Sequence, residues 1–121
     1  MIKYNFKEDI QVLEVIYEGN ISIEDIIAHT QFIFENDELP QNLKILTDAR
    51  NANYTFDAEL VFKLVDMLKQ NIEKYDSIKD AFIHSKPKET AYSILLEVEK
   101  EYSNYSHNIF TNKKVALDWL K

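Results

Sequence analysis

Three times in this chain a short run of apolar residues gives way to a longer segment whose apolar residues recur at helical spacing. Leu43 to Thr47 precedes a stripe of Val61, Leu64, Val65, Leu68 and Ile72. Asp80 to His84 precedes Ala91, Ile94, Leu95, Val98 and Tyr102, and Asn108 to Thr111 precedes Val115, Ala116, Trp119 and Leu120. Short runs rich in β-branched residues read as strands, and a period of 3.6 reads as helix. Strands separated by single helices pair in parallel through right-handed crossovers, because the helix must carry the chain back along the sheet. This alternation limits the fold more than any other feature.

Two further strands come first. Ile2, Tyr4 and Phe6 alternate with polar residues, the Lys7-Glu8-Asp9 turn follows, and Ile10 to Tyr17 is again apolar. The pair reads as a hairpin closed by Gly19-Asn20. The chain has one glycine, so a positive φ is expected there. Ser22 with Asp25 forms a capping box, and Ile21 can staple onto Ile26. Ile23, Ile26, Ile27, Thr30, Ile33 and Phe34 then make one helical face, ending before Pro40, which disfavours helix at the preceding residue. The second helix is expected from about Phe56 to Tyr75, with Leu60 and Met67 widening its stripe. Pro87 opens the third and Asn112 caps the fourth. The reading is α/β: an N-terminal β-hairpin, then βα units, giving a mixed, mostly parallel five-stranded sheet with about four helices. Residues 1–121 are expected to form one domain, since the length suits a single core.

Net charge −7 argues against nucleic-acid binding, which needs a basic footprint. The absence of cysteine removes disulfides and thiolate metal sites and fits a cytoplasmic location. MIKYNFKEDI has no basic stretch before a long apolar run, so no secretory leader is expected, and no run is long enough to span a membrane. One glycine excludes a phosphate-binding glycine loop. No nucleophile elbow and no zinc-spaced histidine pair occur. Asp48 stands alone rather than in an acidic cluster, so it is not expected to accept a phosphoryl group. His29, His84 and His107 are scattered and read as surface or hydrogen-bonded residues rather than catalytic bases. No catalytic residue, metal or cofactor is expected.

The order of elements, together with three stretches, resembles the STAS superfamily, and within it the bacterial SpoIIAA-like group, itself similar in fold to Sec14-type lipid-binding domains. The stretches are Gly19-Asn20-Ile21-Ser22, LKILTDARN from Leu43, and IFTNKKVALDWLK from Ile109, where Phe110 precedes an Ala-Leu-x-Trp-Leu helix. The resemblance implies a regulatory or ligand-binding domain rather than an enzyme, acting through a protein partner or as a homodimer. The alternative it implies is a small carrier of an apolar or anionic ligand, for which the wide apolar arc of the second helix, with Phe62 at its edge, leaves room. STAS-type antagonists are switched by phosphorylation of a serine at the start of the second helix. Here Tyr54-Thr55-Phe56-Asp57-Ala58 holds neither that serine nor the glycine beside it. Thr55 is the remaining hydroxyl and reads as a helix cap, since a phosphate there would meet Asp57 and Glu59.

Two surfaces are candidates for binding. Arg50, the single arginine, is expected just past the third strand beside Asp48 and Thr55. Ligands in open α/β sheets bind beyond the carboxyl ends of strands. Lys86 and Lys88 open the third helix and Lys113 and Lys114 the fourth, each opposing the helix dipole. Together these seven residues would form an edge for an anion or an acidic partner. The other candidate is Phe32, which points away from the apolar face of the first helix and is expected in a protein interface. Tyr92 and Leu96 form a similar outward pair on the third.

Overall fold

The structure, a computed structural model, describes residues 1–98 and 104–121. Their elements run β1 (Ile2–Lys7), β2 (Val12–Ile21), α1 (Ile23–Glu35), β3 (Asn42–Tyr54), α2 (Val61–Asn71), β4 (Ser77–Ile83), α3 (Pro87–Val98), β5 (Tyr105–Phe110) and α4 (Lys113–Leu120). The five strands form one sheet in chain order, β1 antiparallel to β2 and the rest parallel. That is the architecture the alternation requires. Helices α1, α2 and α3 pack on one face, over Leu13, Val15, Tyr17, Ile45, Ile78 and Phe82. Helix α4 covers the other, where Ala116 and Leu120 meet Val12, Leu46, Ala81 and Ile83. Trp119 packs on Phe110, ring centroids 5.7 Å apart.

Local signals account for the well-read helices. Asp25 N–H donates to Ser22 Oγ at 3.1 Å and Ser22 N–H to Asp25 Oδ2 at 3.0 Å, completing the capping box of α1. Val115 N–H donates to Asn112 Oδ1 at 2.9 Å at the start of α4. Gly19 does take a positive φ, 73°, but inside β2. The hairpin turn lies over residues 8–11, where Gln11 holds φ 54°.

The third strand corrects the sequence reading most. It does not stop at Thr47 but runs through the apparent loop to Tyr54. A bulge makes this possible: between Ile16 paired with Asp48 and Glu18 paired with Asn51, β3 holds one residue more than β2. Such an insertion reverses the inward set. Leu43, Ile45, Thr47 and Ala49 are buried before it, and Ala52 and Tyr54 after it. A period-two pattern read straight through that shift looks like no strand at all. Arg50 therefore lies within the strand, not beyond it.

Helix α2 is shorter than expected, beginning at Val61 after a 3-10 turn at Ala58–Leu60. Thr55 is consequently no helix cap. Its N–H donates to Ile21 O at 3.0 Å and its hydroxyl to the same oxygen at 3.4 Å. Helix α3 is rotated from its expected phase: Glu89 and Ser93 are buried, whereas Ala91 and Ile94 face out. Tyr92 is turned inward, its hydroxyl donating to Phe56 O at 2.8 Å. Val98, Tyr102 and Leu96 lie outside the described side chains. Polar partners, not apolar count, set that phase.

Candidate functional site

The expected edge divides into two unlike parts. Strand β4 ends at Ile83 opposite Asp48, so among the described residues β3 runs on without a strand partner on that side. Side chains around the start of α3 take its place. Ser85 Oγ donates to Arg50 O at 3.3 Å, Lys86 Nζ to Ala52 O at 3.0 Å and Lys88 Nζ to Tyr54 O, while Tyr54 N–H donates to Glu89 Oε2 at 3.0 Å. Lysines in a first helical turn, unfavourable to the dipole, are there to satisfy strand carbonyls that would otherwise be orphaned. Lys86, Lys88 and Thr55 are thus tied to the backbone rather than poised for an anion.

Asp48, Arg50 and Lys113 come together on the α4 face. Arg50 clasps Asp48 through Nε to Oδ1 at 3.0 Å and a second nitrogen to Oδ2 at 2.7 Å, and its own N–H reaches Oδ1 at 3.2 Å. These hydrogen bonds hold the Asp48 carboxyl below its usual range. Lys113 Nζ stands 3.4 Å from Glu14 Oε1. The positive charge of Arg50 is therefore largely spent within the chain.

Lys113 and Lys114 continue into a larger feature. A groove of about 760 Å³ runs between α4 and the start of β2. Val12, Leu117 and Leu120 give it apolar walls, with the exposed Ile10 beside them, and Lys44, Lys113, Lys114 and Lys121 ring it against one acid, Asp118. Asp118 is taken by Lys121 at 3.3 Å. Among the described residues Lys44 and Lys114 have no ion partner. The residues that sequence reasoning missed here are Lys44, Ile10, Leu117 and Lys121. Lys44 interrupts the apolar run from Leu43 to Leu46, and that interruption was the available signal.

The helix-covered face of the sheet carries polar groups of its own. A cavity of about 70 Å³ lies between the sheet and the pair α1 and α2, lined by Tyr17, His29, Phe34, Asp80, Phe82 and Tyr105 among others. Tyr105 donates its hydroxyl to Asp80 Oδ2 at 2.9 Å. Burial raises the Asp80 carboxyl to about 7. His29 is not a surface residue: it is buried, bonded through Nδ1 to the Tyr4 hydroxyl at 2.7 Å, and burial lowers it to about 4. His84 is likewise buried, lowered to about 4, and joined through Nε2 to Ser93 Oγ. His107 lies buried within β5 rather than in a loop. The signal for Asp80 is an acid between Ile78 and Phe82 on the inward face of a strand, although the sequence pattern by itself marks it only as the strand's start.

Phe32 is exposed as expected, at 40%, but it is not isolated. Its ring lies 4.3 Å from that of Tyr4, itself 36% exposed, on the edge strand β1. Among the described residues no group of three or more His, Asp or Glu side chains could hold a metal ion, and no helix is long and apolar enough to cross a membrane.

No family model matches the sequence, and no curated protein matches it. A solved structure does. An uncharacterized protein of the DUF3478 family with a SpoIIAA-like fold, from Shewanella loihica PV-4, aligns over 100% of this chain and 93% of its own. The TM-score is 0.64 and the identity 15%. The match covers the full length of this chain, the hairpin, the parallel run of strands and α4 included, and the fold of this chain is SpoIIAA-like.

Proposed function

We propose that this chain works by binding rather than by catalysis, as a carrier or receptor domain for an amphipathic anion seated in the α4 groove. The lysine-ringed apolar groove is the observation that carries the reading. Its volume falls in the range of small-molecule sites, about 300–1,000 Å³, and its four lysines stand on a chain of net charge −7. An acyl carboxylate would lay its chain over Val12, Leu117 and Leu120 and meet Lys44 and Lys114. Regulation by phosphate on Thr55 is not part of this proposal, since that hydroxyl already has an acceptor in Ile21 O.

The test is an NMR titration with decanoate, with 1-decanol as the uncharged control. Saturable shifts at Val12, Lys44, Lys114 and Leu117 are expected for decanoate. Exposed ion pairs contribute about 0.2–1 kcal/mol each, so Lys44→Glu with Lys114→Glu should weaken binding by at least about two- to thirty-fold. Equal response to decanol, or shifts spread over the surface, would sink the reading.

A second reading, a protein partner or homodimer, is supported by the Tyr4 and Phe32 pair. Two part-exposed rings sit beside a strand that is paired on one side alone. Free strand edges and aromatic patches are both surfaces on which another chain can dock. Concentration-dependent mass by light scattering, lost in Phe32→Ser, would favour it.

A further inference from the structure

The cavity beneath α1 and α2 is built unlike the core around it. The rings of Tyr17, Phe34, Phe82 and Tyr105 line it, with His29 from α1 and the carboxyl of Asp80. Asp80 Oδ2 has the Tyr105 hydroxyl, but Oδ1 is buried with no hydrogen-bond partner among the described residues. Buried polar groups are nearly always bonded, and an unbonded one calls for an explanation. Among the described residues the lining includes no lysine or arginine to pair with the carboxylate, and His29 is held neutral by its burial. The ligand that suits such a lining is a small cation carrying N–H donors. Aromatic rings around a carboxylate are the surroundings that ammonium groups favour, because ring π-electrons attract cations.

We propose that this cavity is a binding site for a small alkylammonium ion, whose N–H groups bond the Asp80 carboxylate while its carbons contact the four rings. A volume of about 70 Å³ is room for roughly two waters, each filling about 30 Å³, and so for an ion of two or three heavy atoms. An anion would meet Asp80 unfavourably. A neutral apolar molecule would leave Oδ1 without a partner.

Binding is also linked to protons. With Asp80 titrating at about 7, the ion must displace a proton from it below that pH. The titratable groups that face Asp80 are Tyr17 from β2, Tyr54 from β3, Tyr105 and His107 from β5, and His29 from α1. Leu64 and Leu68 of α2 bring no charge to it. Affinity should fall about tenfold from pH 8 to pH 6, following the ionised fraction of one carboxyl.

The experiment is an amide-shift titration with ethylammonium chloride to 100 mM, against ethanol as the neutral isostere and sodium chloride for ionic strength. The expected result is saturable shifts centred on Tyr17, Asp80, Phe82 and Tyr105 for ethylammonium alone, about tenfold weaker at pH 6. Asp80→Asn should abolish them, with its spectrum showing that it is folded. Phe34→Leu, which removes one ring and keeps the carboxyl, should weaken ethylammonium several-fold. Absence of saturable shifts would mean the cavity holds water only and would overturn the proposal. So would an equal response to ethanol, shifts confined to surface acids, or a pH dependence that survives in Asp80→Asn.

Discussion

Asp80→Asn should remove from this protein a contribution to stability that falls as pH rises. The folded carboxyl titrates at about 7 against a reference of 3.8. Below pH 3.8 both states hold the proton and Asp80 contributes nothing. Between 3.8 and 7 the unfolded chain ionises while the folded one keeps its proton, so stability falls as pH rises. Above 7 the penalty is complete. A gap of about 3.2 pH units corresponds to about 4 kcal/mol at most, since Asp80 keeps slight solvent contact. Wild-type protein masks this slope, because His29 and His84, lowered from 6.5 to about 4, act in the opposite sense. Both are neutral in either state above 6.5, and they cost stability as pH falls toward 4. The difference between the variant and wild type cancels them. Integrated from pH 5 to 8.5, the advantage of Asp80→Asn should grow by about 2.7 kcal/mol. Urea unfolding followed by circular dichroism at the two pH values measures it. An advantage that stays constant within about 0.5 kcal/mol would refute a buried, proton-holding Asp80.

Other substitutions probe the remaining elements. Glu89→Ala strands the buried Tyr54 N–H at the unpaired side of β3, and should cost about 1.5–3 kcal/mol in urea melts, the range for bonds to charged groups. Gly19→Ala meets nothing within 4 Å, so its cost should be that of φ 73° alone, about 1–2 kcal/mol; a larger loss would mean that the bulge beside it repacks. Phe32→Ser removes the ring against Tyr4 and should cost about 0.5–1.5 kcal/mol beyond its lost burial, read as a lowered melting temperature. A neutral result would show that the pair contributes nothing in solution.

The order of elements and the parallel run of strands were determined by the sequence alone, because hydrophobic period and helix caps are local properties. Ser22 with Asp25, and Asn112, start their helices by contacts three residues long. The candidate site was legible only in pieces. Lys113 and Lys114 were picked out at the start of α4, but the groove also needs Ile10 and Lys44, which only chain pairing brings near. Phe32 was read as exposed from its helical angle, while Tyr4 reaches it from a strand 28 residues away. Tertiary structure alone decided the reach of β3, because a bulge is defined by the partner strand and erases the very period by which a strand is read. It also decided the phase of α3, where Glu89 and Ser93 turn inward to serve Tyr54 and His84. Glu89 turns into the core because another element holds its partner, and that partner, Tyr54, lies 35 residues away in the chain.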